Sequence, residues 1–135
     1  MRYTLLDLPL ESIHKNAFKA AEATRCADEQ GRYWEMHDRL FANSRTLVPM
    51  DPHAEAAGLD LAAFQECMSS GRHTDAIRQD MAIARKAGIT GTPGFLLART
   101  DAGDPKKVVG ITFLRGAQPF AAFKAAIDAA LGGSD

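Results

Sequence analysis

From Arg2 to Leu10 the apolar positions fall at Tyr3, Leu5, Leu6, Leu8 and Leu10, closed by Pro9. Such a short apolar run reads as a β-strand. The period then changes to that of a helix. Ser12 can cap a segment in which Ile13, Ala17, Ala20, Ala21 and Thr24 recur at helical spacing, and Gly31 ends or bends it. A second helix carries Trp34, His37, Leu40 and Phe41 on one side and stops near Asn43-Ser44. In "DPHAEAAGLD", Asp51 caps, Pro52 takes the first helical position and Gly58 stops the helix. Asp60 caps the next one, with Leu61, Phe64 and Met68 inward and Gly71 behind them. From about Thr74 to Ala87 the stripe Ile77, Met81, Ala84, Ala87 predicts another helix, capped by Gly88. Residues 12–88 therefore read as almost entirely helical.

Beyond Gly88 the pattern is different. "GFLLART" and "KKVVGITFL" are strand-like, and "DAGDPK" between them has turn chemistry, so an antiparallel hairpin is expected. Pro119 opens an alanine-rich helix with Phe120, Phe123, Ile127 and Leu131 on its inward side. The order strand, helical block, strand, strand, helix is that of an α/β or α+β domain. The corner Gly91-Thr92-Pro93-Gly94 stands out, because glycine and proline both weaken the start of a strand.

Composition narrows the function classes. A chain of 135 residues fits one domain with a real core. Sixteen Lys and Arg balance seventeen Asp and Glu, with no basic run or helix-turn-helix pattern, so nucleic acid is not an expected partner. No apolar stretch approaches the roughly 20 residues that cross a bilayer, and the N-terminus lacks the apolar core of a signal peptide. With Met1 as the native start the compartment would be cytoplasmic; with an export signal trimmed ahead of it, periplasmic. Cys26 and Cys67 are too far apart for a Cys-x-x-Cys pair or a zinc knuckle, and the four histidines lack ligand spacing. Neither a metal site nor a cofactor is expected. Trp34, His37 and Phe41 read better as core packing around a satisfied histidine than as an aromatic groove.

Three stretches, "LPLESIHKNAFKAAEATRCADEQGRYWEMHDRLF", "AAGLDLAAFQECMSSG" and "AGITGTPGFLLA", resemble DsbA-type thiol-disulfide oxidoreductases in the same order. The resemblance spans nearly the whole chain, most specifically at Gln30-Gly31-x-x-Trp34-x-Met36-His37-Asp38 and Gly91-Thr92-Pro93. It implies an incomplete thioredoxin-like fold, predominantly helical with a small sheet. Residues 1–11 and 89–135 would form the thioredoxin-like part of a single domain and 12–88 its helical insertion. The family's strand, strand and Cys-x-x-Cys helix would precede Arg2 and are missing here, so the resemblance implies a fold more than an activity, and no catalytic residue is assigned.

At Pro93 a trans bond is the rule for an arbitrary sequence, whereas the resemblance implies a cis Thr92-Pro93 bond. It also implies that Gly91, Thr92 and Pro93 form a substrate-facing corner, where the residue before proline offers its N–H and C=O to an extended peptide or another ligand. For Cys26 and Cys67 two readings stay open: inert buried thiols, or a structural disulfide, since some relatives staple their helical insert. The missing strand would run between residues 2–8 and 94–98 and leave two open edges. The N-terminal strand could slide across, another polypeptide could complete the sheet, or a second copy could, and the homodimer is favoured. The leading expectation is a non-catalytic peptide- or ligand-binding module. The alternative is an oxidoreductase whose active-site segment was trimmed or acts in trans. A weaker third is a glutathione-binding cousin, whose serine nucleophile would also lie in the missing part.

Overall fold

A computed structural model describes residues 1–104 and 106–132 and contains six helices and two strands among them. The chain divides into two compact units, Met1–Gly88 and Ile89–Asp135.

The first unit is helical: α1 (Ala17–Asp28), α2 (Tyr33–Ala42), α3 (Asp51–Ala56), α4 (Leu61–Ser70) and α5 (Thr74–Lys86). Its turns follow the glycines. Gly31, Gly58, Gly71 and Gly88 all have positive φ, the conformation that ends a helix at little cost only for glycine. Asp60 caps α4 as its sequence suggests, its Oδ1 accepting from the Ala63 N–H at 2.8 Å. The cap at α3 is displaced by one residue, with Met50 at the N-cap and Asp51 inside the first turn. Ser12 caps nothing, because residues 11–13 form a turn and α1 starts behind Asn16.

The core of this unit joins Ala23, Cys26 and Ala27 of α1, Met36 and Leu40 of α2, Ala54 of α3, and Phe64 and Cys67 of α4. The inward face of α2 is therefore Met36 and Leu40, whereas Trp34 and Phe41 are exposed, at 51% and 73%. This corrects the expectation that Trp34, His37 and Phe41 pack inward. Two apolar stripes interleave on α2, and the positions of α1, α3 and α4 decide which is covered.

Residues 1–10 form no strand, and Tyr3 and Leu6 are exposed. A strand is held by ladder hydrogen bonds to a neighbour, and none of the described residues supplies one here. The segment belongs instead to the first unit, where the Asp7 N–H donates to Asp80 Oδ2 at 3.0 Å.

The second unit is a hairpin with a helix. β1 (Gly94–Thr100) pairs antiparallel with β2 (Val108–Arg115), from Gly94 opposite Arg115 to Thr100 opposite Val108, with an irregularity between Leu97 and Ala98. Asp101 builds the turn, its Oδ1 accepting from the N–H groups of Gly103 and Asp104; Pro105, in the same predicted turn, lies outside the described residues. In α6 (Phe120–Gly132), Phe123 meets Phe95 edge to face with centroids 4.8 Å apart. Phe120 and Leu131, expected inward, are 80% and 73% exposed. A two-stranded sheet is too narrow to cover the whole apolar face of a 13-residue helix.

Candidate functional site

The predicted corner leads directly into β1. Gly91, Thr92 and Pro93 are all exposed, and the Thr92–Pro93 peptide bond is cis, as is Val48–Pro49. The Pro93 carbonyl is engaged within the unit, accepting from the Gly116 N–H at 2.9 Å. Thr92, by contrast, has no hydrogen-bond partner for its N–H or C=O among the described residues.

The two glycines of the corner serve different purposes. A Cβ on Gly94 would lie 2.8 Å from Ile89 Cγ2 and 3.3 Å from Phe113 Cε2, so this glycine makes room for the unit's own side chains. A Cβ on Gly91 would meet nothing within 4 Å. Only Gly91 leaves space that an outside chain could enter.

Cys26 and Cys67 are joined in a disulfide that links α1 to α4, and both residues are 2% exposed. They belong to the first unit and the corner to the second. Among the described residues the one grouping of three metal-donor side chains is Cys26, Cys67 and His73, within 4.8 Å of one another. With both sulfurs in the disulfide, it offers no thiolate to an ion. His73 is drawn elsewhere: its Nε2 lies 2.7 Å from Glu29 Oε1, and Arg72 holds the same carboxylate through Nε and Nη2. Hydrogen bonding to Arg72 is the largest cause that holds the Glu29 carboxyl down at about 2.

A charged cluster that the sequence reading missed ties the N-terminal segment to α1 and α5. Arg25 Nε lies 2.6 Å from Asp7 Oδ2, and its Nη2 lies 2.5 Å from Asp80 Oδ2. Burial pushes the Asp7 carboxyl up despite the opposing pull of Arg25. Burial also opposes the charge on Arg25, but its hydrogen bond to Asp7 and its attraction to both carboxylates outweigh that and raise its pKa. A signal for the cluster was available: Asp80 interrupts the apolar stripe Ile77, Met81, Ala84, and an acid on a buried stripe calls for a cation.

Beside this cluster an open cavity of about 430 Å³ is lined by Tyr3, Asp7, Arg25, Asp28, Tyr33, Trp34 and Glu35, among others. The Tyr33 hydroxyl is pushed up to about 12, first by burial and then by the negative charge of Asp7, so the phenol stays neutral.

The DSBA-like thioredoxin domain model matches residues 4–128, and the chain belongs to that family. Among curated proteins it is 41% identical over 99 residues to Na(+)/H(+) antiporter NhaA 3 of Salinispora tropica, a match covering 72% of this chain and 15% of that protein. It is 39% identical over 99 residues to Na(+)/H(+) antiporter NhaA 1 of Salinispora arenicola, with the same coverage. Na(+)/H(+) antiporter NhaA of Nitrosospira multiformis is 30% identical over 100 residues, covering 72% of this chain and 16% of that protein. The chain thus spans about a sixth of the curated relatives it matches. No solved structure matches it significantly.

Proposed function

We propose that this DsbA-like domain is a non-catalytic binding module that takes an extended peptide against the Thr92 backbone. The observation that carries this reading is that Thr92 is exposed and its N–H and C=O have no hydrogen-bond partner among the described residues, at the mouth of β1, a strand that pairs among them with β2 alone. Strand addition uses such groups: main-chain hydrogen bonds supply affinity and side-chain pockets supply selection. The open space at Gly91 supports the same reading. The two cysteines are spent in a buried disulfide, which supports a role without thiol exchange. Sodium–proton exchange, named in the relatives, is no part of the proposal, since the match covers 15% of the two Salinispora proteins.

The test is an amide NMR titration with a library of short extended peptides. The expected result is a saturable shift at Thr92 that Gly91→Leu weakens without lowering the unfolding midpoint. Binding peptides that leave Thr92 unmoved would overturn the proposal. Insulin reduction is expected to be absent; turnover lost in Cys26→Ala or Cys67→Ala would overturn the non-catalytic part.

A second reading rests on the far greater length of the relatives. In it the domain is a thiol-disulfide oxidoreductase whose Cys-x-x-Cys segment precedes Met1 or is supplied by another polypeptide. An in-frame Cys-x-x-Cys upstream of the Met1 codon would favour it. For the sheet itself we propose completion by a second copy, because among the described residues each strand has one edge open and Val109 and Ile111 of β2 are exposed. Gel filtration is expected to return a dimer, and a concentration-independent monomer would refute this.

A further inference from the structure

The cavity in the first unit is walled by three aromatic rings. Tyr33 stands edge-on to Trp34 with centroids 5.1 Å apart and planes at 84°, and the Tyr3 ring lies tilted to Trp34 with centroids 6.4 Å apart. Tyr3 and Trp34 are 65% and 51% exposed, a large area of aromatic surface left in water.

The charges around these rings have one sign to spare. The single guanidinium in the lining, Arg25, is held by Asp7 and Asp80. Asp28 has no hydrogen bond or ion pair to its carboxylate among the described residues. Glu35 is paired with Arg32 in an exposed ion pair at 2.8 Å. An anion would find no cation here that is not already paired, and an uncharged apolar ligand would leave the Asp28 carboxylate without a counter-charge. Ring faces carry negative potential, and carboxylates beside them add to it.

We propose that this cavity binds an organic ammonium group, seated against Trp34 and the two tyrosines and balanced by Asp28 and Glu35. The volume suits a single small ligand or one long side chain. Two sources share that chemistry, a free quaternary ammonium compound and the lysine side chain of a polypeptide. The lining residues all belong to the first unit, whereas Thr92 belongs to the second.

Trp34 is the sole tryptophan of the chain, so its fluorescence reports on this site directly. The experiment titrates the protein with tetramethylammonium chloride and, separately, with N-acetyl-lysine methylamide. N-acetyl-norleucine methylamide and sodium chloride serve as controls. A saturable change is expected with one or both ammonium probes and with neither control. Saturation by tetramethylammonium alone identifies the small-molecule source, and saturation by the lysine compound identifies the side-chain source. Asp28→Asn and Glu35→Gln are each expected to weaken binding about two- to fivefold, the range of an exposed charge pair. Both positions are exposed, and circular dichroism checks that each variant is folded. The proposal fails if the norleucine compound titrates equally, if neither ammonium probe saturates, or if both folded variants bind like the parent.

Discussion

Cys26 and Cys67 are covalently joined across a separation of 41 residues, with Cα atoms 5.8 Å apart, and the bond links α1 to α4 inside the core. Closing a loop of that size in the unfolded chain is worth about 4 kcal/mol by the loop-entropy relation. Replacing both cysteines by alanine is therefore expected to lower the unfolding free energy by about 2–5 kcal/mol, the usual cost of losing a native disulfide. Urea denaturation of the two proteins side by side measures it. Dithiothreitol should destabilise the parent and leave the double variant unchanged.

Arg25 stands between two carboxylates from distant parts of the chain, Asp7 and Asp80. Their side chains are only 13% and 12% exposed, so removing the cation leaves charge with little water to stabilise it. Arg25→Met is expected to cost about 3 kcal/mol, as for a broken buried pair. Adding Asp80→Asn to that variant should restore part of the loss, because it removes one uncompensated charge. Additive losses in a double-mutant cycle would show that Arg25 and Asp80 are not coupled.

Much of this fold can be read from the sequence because its boundaries are local. Asp60, Gly58, Gly71 and Gly88 act through their own backbone, and each stands at a helix end as its residue type demands. The hairpin is likewise specified nearby, by Asp101 and the apolar runs beside it. What depends on distant neighbours was less legible. The run from Tyr3 to Leu10 has the composition of a strand but no ladder partner among the described residues, so composition alone misleads there. On α2 the periodicity allows both Trp34-His37-Phe41 and Met36-Leu40 as the inner face, and only packing distinguishes them. At the corner, Thr92 and Pro93 could be located in advance. That Gly94 faces its own unit while Gly91 faces open space could not, because Ile89 and Phe113 decide it.

Acid should weaken the first unit through Glu29. Its folded pKa is about 2 against an ordinary 4.5, so the stability it contributes is fully present above 4.5 and is lost as pH falls toward 2. Asp7 works in the opposite direction. Its pKa is raised above 3.8, so its contribution becomes less favourable as pH rises from that value toward the raised one. Comparing the parent with Glu29→Gln at pH 3 and pH 7 separates the two. The variant is expected to lose less stability on acidification, with a modest difference because the Arg72 pair is solvent-exposed and screened. Equal losses in the two proteins would remove Glu29 from the acid response.

The two glycines flanking Thr92-Pro93 should respond in opposite ways to the same methyl group. Gly94→Ala sets a Cβ 2.8 Å from Ile89 Cγ2, a branched atom on a stiff side chain that cannot swing away easily. The second unit must shift to admit it, at a cost of about 1–3 kcal/mol. Gly91 has no positive φ and no neighbour within 4 Å of its would-be Cβ, so Gly91→Ala should stay within about 0.5 kcal/mol of the parent. Amide exchange along β1 and β2 reads the difference, with faster exchange from Gly94 to Arg115 expected only in Gly94→Ala. Equal protection in both variants would mean that Ile89 and Phe113 do not pack against Gly94 as described.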